Sequence, residues 1–409
     1  MSGLLWPGQD RVDDLLSDVT VMRAMVRVEQ VWLTCLVETR IAPPSAIADL
    51  DALVGNGDVT ALAHESEASG NPVVPLVMLL RERLRAGNPE AAQWLHRGLT
   101  SQDVLDTALM IGVRDIVVRL RVETARQLRL LCGLAAHHRA SPMAARTLTQ
   151  HAVPTTFGVK AAQWATGLVD AAEDLAAVRF CAQAGGAAGT LSAVVQLAAA
   201  AEVEDPTLAA LELVALVSDR LDLDERHLWH TARAPVTRVG DALVRCTDGY
   251  GRIANDILTL SRPEIGELSE GRGGQSSTMP QKRNPVLSVL IRRAAIGAPQ
   301  LGATLHLAAA EAVDERPDGS WHVEWETLRT LAQHVVVAAR QTTELLTHLV
   351  VDEERMRANH DSAWPDLTAE QRTMSHLVAT VPQGDYRGAG PMLVDLVCGR
   401  AAPHLQEHV

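Results

Sequence analysis

Apolar residues recur at helical spacing along nearly the whole chain. Between Ser101 and Ala140, residues Val104, Leu105, Ala108, Leu109, Ile111, Val113, Ile116 and Val117 fall mainly on one broad face, and no proline interrupts before Pro142. At about 1.5 Å per residue, this stretch predicts a helix approaching 55–60 Å. Asp103 and Asp106 fall near its start, where negative charge suits the helix dipole. The same period predicts helices over Thr156–Val178, Thr190–Ser218, Pro235–Leu260, Val286–Ala310 and His322–Leu349. Helices of this length must pack side by side, so the pattern predicts an all-α protein built on a long-helix bundle.

Four segments break the period and read as connections: Ser66–Pro75, Ala145–Pro154, Phe180–Gly189 and Pro263–Pro285. The last is long and rich in Gly, Ser and charge, the kind of loop that is usually functional. Past Val351 the helical pattern weakens among Pro365, Pro382, Gly384, Gly388, Gly390 and Pro391. The expected organisation is an N-terminal helical unit (1–100), a central bundle (101–351) and a short C-terminal unit (352–409).

Composition narrows the function. The 409 residues carry 37 Lys+Arg against 50 Asp+Glu, a net charge of −13, which argues against a nucleic-acid-binding surface. Five scattered cysteines show no metal-ligand spacing and read as reduced thiols. The N-terminal stretch turns charged before any signal-length apolar run, and no segment approaches the roughly 20 apolar residues of a membrane span. A cytoplasmic protein is expected. Only two of the basic residues are lysines, Lys160 and Lys282, so these are places where a compact ammonium is worth asking about.

Lys282 lies in the sequence Gly273-Gly274-Gln275-Ser276-Ser277-Thr278-Met279-Pro280-Gln281-Lys282-Arg283-Asn284-Pro285. Glycines give mobility, serines offer a hydroxyl, and Lys282 and Asn284 are donors for an anion. Upstream stand His96-x-Gly98-x-Thr100-Ser101-Gln102-Asp103 and Arg146-Thr147-x-x-Gln150-His151-x-x-Pro154. In this order the three blocks resemble the fumarase/aspartase superfamily, whose signature is G-S-S-x-M-P-x-K-x-N.

The resemblance implies a three-domain helical subunit and a homotetramer with a twenty-helix core, each active site being shared by three subunits. It also implies reversible β-elimination on a succinate-like polycarboxylate without metal or organic cofactor. Ser276 maps onto the base that takes the Cβ proton, a role that requires a desolvated, donor-lined setting. Lys282, Asn284, Thr100 and Ser101 map onto carboxylate binders, with Asn71, Gln150, His96 and His151 as further binding residues. Arg233 and Arg316 are candidates for a second or third carboxylate, which the guanidinium fork matches.

Two departures stand out. The family's histidine after Arg-Thr is here Leu148, and its glutamate partner five residues past the signature asparagine is Val289. Their joint loss implies a leaving group that departs as an anion without a proton. That absence is shared by the bacterial 3-carboxy-cis,cis-muconate cycloisomerases, which Trp321-His322-x-Glu324-Trp325-Glu326-Thr327-Leu328, Ser69-Gly70-Asn71 and Trp229-His230-Thr231-x-Arg233 also resemble. Lactonisation of the carboxymuconate is therefore the first expectation. The rival is a C–N lyase such as a nitrosuccinate lyase releasing fumarate, because Leu148 replaces that branch's tryptophan and Gln275 its glycine. A non-catalytic scaffold member is the remote alternative.

Overall fold

In the computed structural model, residues 4–275, 277–382 and 384–406 are described. After a short 3-10 turn the chain forms α1 (Asp18–Glu38), α2 (Asp58–Ser69), α3 (Val73–Arg85) and α4 (Pro89–Trp94). The long helix α5 (Ser101–His137) leads into a hairpin of β1 (Pro142–Thr147) and β2 (Gln150–Thr156). Then follow α6 (Phe157–Ala177), α7 (Ser192–Ala200), α8 (Pro206–Leu221) and α9 (Ala234–Leu260). Short strands β3 (Leu268–Ser269), β4 (Gly274–Gln275) and β5 (Arg283–Asn284) mark the loop before α10 (Val286–Ala310). The chain continues with α11 (Gly319–Thr347), β6 (Val350–Val351), α12 (Glu353–Ser362), α13 (Trp364–Leu367), α14 (Ala369–Leu377) and α15 (Gly390–Ala401).

The fold is all-α, as the periodicity predicts, and the bundle's directions follow from a few polar ties. Asp106 near the start of α5 meets Arg233 at the start of α9 and Trp321 at the start of α11. Farther along, Gln127 and Glu123 of α5 meet Ala339 and Thr343 of α11. Asp256 near the end of α9 meets Lys160 and Trp164 at the start of α6. So α5, α9 and α11 run one way, and α6 and α10 return. Trp164, Phe157, Trp229 and Tyr250 fill the interior with alanine, leucine and valine around them. Close approach of α6 and α9 needs Gly249, where an added Cβ would stand 2.8 Å from Leu168.

Two predicted boundaries differ. The helix expected over Thr190–Ser218 is broken into α7 and α8, because Asp205 accepts the amides of Thr207 and Leu208 and Pro206 takes the first helical position. The segment Ala145–Pro154, expected as a plain connection, is the β1–β2 hairpin. Its turn lacks the usual Gly or Asn signal. Among the described residues, no helix is long and apolar enough to cross a membrane.

Candidate active site

The start of α5 gathers the first motif block. Thr100 is the N-cap, its amide donating to Asp103 Oδ2 at 2.8 Å, and Ser101 opens the helix half-buried. Asp103 also receives the amides of Gly185 (3.1 Å) and Gly186 (2.9 Å) and pairs with His230 Nε2 at 2.8 Å. One buried carboxylate thus fixes the helix end, the 181–189 segment and the Trp229–His230 turn together. Asp106, one turn on, is a second hub: Trp321 Nε1, Gln183 Nε2 and Arg233 all donate to it. These acids are buried anchors rather than dipole partners at an exposed helix end. An acid amid the apolar run from Val104 to Ala108 was the sequence signal for this.

Arg233 is a correction. It was expected to meet a substrate carboxylate, but Nε and Nη2 bind Glu324 at 2.6–3.1 Å and Nη1 and Nη2 bind Asp106. Nη1 also reaches the Trp229 carbonyl at 3.2 Å, so every donor edge is committed inside the protein. Burial works against its charge, yet Asp106 and Glu324 together hold its pKa above the ordinary guanidinium value. Near this end, Asn71, which precedes the N-cap of α3, accepts the amides of Val73 and Val74 through Oδ1. Arg316 is half-buried in the turn before α11. His96 binds Glu29 of α1 through Nδ1 at 2.5 Å, a partner 67 residues away in sequence that no local pattern exposes.

The second and third blocks lie at the other end. Gln150 and His151 open β2 and are exposed. The two turn residues before them, Leu148 (φ 49) and Thr149 (φ 70), both hold left-handed backbone, which side chains with a Cβ adopt at a cost. Leu148 is 95% exposed. Arg146 ties this hairpin to the signature loop through two hydrogen bonds with the buried Glu267, at 3.1 and 2.6 Å.

Within the loop, β4 pairs with β5, closing a ribbon whose far part carries the exposed Lys282 and whose base carries Asn284. Gly274 is required at that base, since a Cβ there would lie 2.3 Å from Val286. Glu270 receives the amides of Leu287 and Ser288, fixing the start of α10. A cavity of about 220 Å³ lies at the loop base, lined by Ser269, Glu270, Gly273, Arg283 and Asn284 among others. Ser276, the expected base, lies outside the described residues. The other lysine, Lys160, is 3.4 Å from Asp256 and serves helix packing.

The candidate residues therefore form two groups. Thr100, Ser101, His96, Asn71 and Arg316 stand by the start of α5, whereas Gln150, His151, Lys282 and Asn284 stand beyond its end. At about 1.5 Å per residue, the 37 residues of α5 separate the groups by about 55 Å. Each group offers donors for carboxylates, while the hairpin tip carries apolar Leu148 and the first turns of α10 carry apolar Val289.

Residues 46–298 match the sequence model of a lyase family. Nitrosuccinate lyase of Streptomyces davaonensis is 41% identical over 382 residues, which cover 90% of this chain and 79% of that protein. The 3-carboxy-cis,cis-muconate cycloisomerase of Bradyrhizobium diazoefficiens is 35% identical over 368 residues, covering 88% and 78%. The crystal structure of 3-carboxy-cis,cis-muconate lactonizing enzyme from Pseudomonas putida superposes with a TM-score of 0.80 at 29% identity, over 97% of this chain and 86% of that one. Motif blocks, helical architecture and these likenesses agree: the chain belongs to the fumarase/aspartase superfamily of lyases and cycloisomerases.

Proposed function

We propose that the chain eliminates nitrite from nitrosuccinate to give fumarate. The apolar pair, Leu148 at the exposed hairpin tip and Val289 on the first turns of α10, fits any leaving group that departs as an anion. The observation that favours nitrite over a lactone carboxylate is the 41% identity to a nitrosuccinate lyase, against 35% to a cycloisomerase. A general acid typically contributes 10²–10⁴-fold to a rate, and its loss is tolerable only when the leaving group needs no proton. Nitrite departs as an anion. The base removes the proton from the carbon next to the nitro-bearing one, that C–H electron pair becomes the new C=C bond, and the C–N pair leaves with nitrite.

In this proposal Ser276 takes the proton. Lys282, Asn284, Thr100 and Ser101 hold the carboxylates and stabilise the charge that develops on one of them. Because the two groups stand at opposite ends of α5, the site is assembled between copies of the chain, one supplying the Thr100 end and another the Lys282 end. The identity to nitrosuccinate lyase supports the same substrate.

A second reading, lactonisation of 3-carboxy-cis,cis-muconate, is favoured by the Trp321–Trp325 pair, packed edge-to-face at 4.6 Å within the block that resembles that branch. Presenting both compounds to the purified protein separates the readings by ultraviolet absorbance. Fumarate appearing from nitrosuccinate supports the proposal. Loss of the diene absorbance with nitrosuccinate untouched replaces it with the second reading.

A further inference from the structure

His96 is held in an unusual way. Its backbone is left-handed (φ 61), and the carbonyls on either side of it are clamped, Leu95 by Arg81 Nη2 at 2.8 Å and Arg97 by Trp32 Nε1 at 2.7 Å. Left-handed backbone at a residue with a Cβ persists only where the surroundings enforce it, and such positions cluster at functional sites. The imidazole Nδ1 is 2.5 Å from Oε1 of Glu29, whose side chain is fully buried, while the ring remains 17% exposed. The other carboxylate oxygen of Glu29 has no hydrogen-bond partner among the described residues. A buried acid so poorly satisfied is a cost to the fold unless it serves another group.

We propose that Glu29 is a positioning residue for His96: it fixes Nδ1 and keeps the ring a cation whose Nε2 meets a substrate carboxylate beside Thr100 and Ser101. The binding half rests on the function proposed above, whereas the Glu29–His96 pair stands on its own geometry. The charged groups acting on the ring come from three helices: Glu29 of α1, Arg81 of α3 and Asp103 of α5. Burial disfavours the imidazolium and Arg81 opposes it, but Glu29, with help from Asp103, outweighs both and leaves the His96 pKa above its ordinary value. The ring is charged at pH values below that raised pKa, so affinity for a dianionic substrate is full there and falls as pH rises through it.

The test measures hydrogen–deuterium exchange at the imidazole Cε1 of His96 by peptide mass spectrometry across pH, in wild type, Glu29→Gln and Glu29→Asp. The wild type is expected to titrate above the ordinary value of about 6.5, Glu29→Gln at or below it, and Glu29→Asp in between. In parallel, at a pH below the wild-type His96 titration, Glu29→Gln is expected to raise KM for nitrosuccinate about tenfold with kcat within about threefold. Equal His96 titration in wild type and Glu29→Gln overturns the pair. A shifted titration with unchanged KM overturns the substrate contact. Should Glu29→Gln not fold, the wild-type curve decides, and a His96 pKa at or below about 6.5 overturns the proposal. A wild type inert toward nitrosuccinate sinks the substrate assignment instead, and the exchange curves still judge the pair.

Discussion

Arg233 and Asp106 form a two-pronged ion pair, Nη1 to Oδ2 at 2.7 Å and Nη2 to Oδ1 at 3.1 Å, buried beneath the helix end that carries Thr100 and Ser101. Glu324 completes the triad from α11. Replacing Arg233 with Met leaves two carboxylates buried without a counter-charge. The expected loss is about 3–5 kcal/mol of stability, read by urea unfolding. A loss below about 1 kcal/mol would mean that one of the acids is neutral in the folded protein.

The packing of the near-N-terminal segment on α11 is expected to weaken in acid. His334 stacks on Trp6 with ring centroids 3.4 Å apart, and the Arg293 guanidinium lies over the Trp6 ring, 3.6 Å from its centroid. Burial, and then the Arg293 charge, push the His334 pKa down to about 4. A histidine with a depressed folded pKa stabilises fully above its unfolded value of about 6.5, and that contribution drains away as pH falls toward 4. After solvent screening, the expected loss between pH 7 and 4 is on the order of 1–2 kcal/mol. His334→Gln is expected to flatten that part of the stability–pH curve, measured by chemical denaturation at several pH values.

The signature loop depends on its ribbon base. Gly274→Ala places a Cβ against Val286, so β4 and β5 must separate or α10 must shift. Turnover is expected to fall at least tenfold with little change in melting temperature, since the loop lies outside the bundle core. A variant with wild-type kcat would show that the ribbon does not position Lys282 and Asn284.

Mixing variants tests the shared site. Ser101→Ala and Lys282→Met are each expected to be nearly inactive, because each disables one end of every copy. Co-expressed, some sites draw an intact Thr100–Ser101 end from one chain and an intact Lys282 end from another, so part of the activity returns. Absence of any recovery in mixed assemblies would place both ends in one chain's own site.

Much of this was legible in the sequence. The 3.6-residue period gives α5, α6, α9, α10 and α11 to within a few residues, because their broad apolar faces leave no competing pattern, but it runs through the break at Asp205–Pro206, where a cap and a proline outweigh it. The motif blocks were legible because their residue types are improbable as linkers. Arg233 was not: a sequence shows a guanidinium but not whether its carboxylate is internal, and here Asp106 and Glu324 come from helices 127 and 91 residues away. Glu29 was hidden for the same reason, as an ordinary acid on a helix until His96 folds onto it. The hairpin tip was missed because Leu148 and Thr149 take left-handed backbone that neither residue advertises.

The central claim is elimination without a proton donor. Its most direct test is product analysis of wild type and of Leu148→Ala/Val289→Ala with nitrosuccinate, and of wild type with malate, whose neutral hydroxyl must gain a proton to leave. Expected are fumarate and nitrite in equal amounts, kcat for the double variant within about threefold of wild type, and no fumarate from malate. Fumarate released from malate at a comparable rate, or a double variant slowed by about a hundredfold or more, would contradict it.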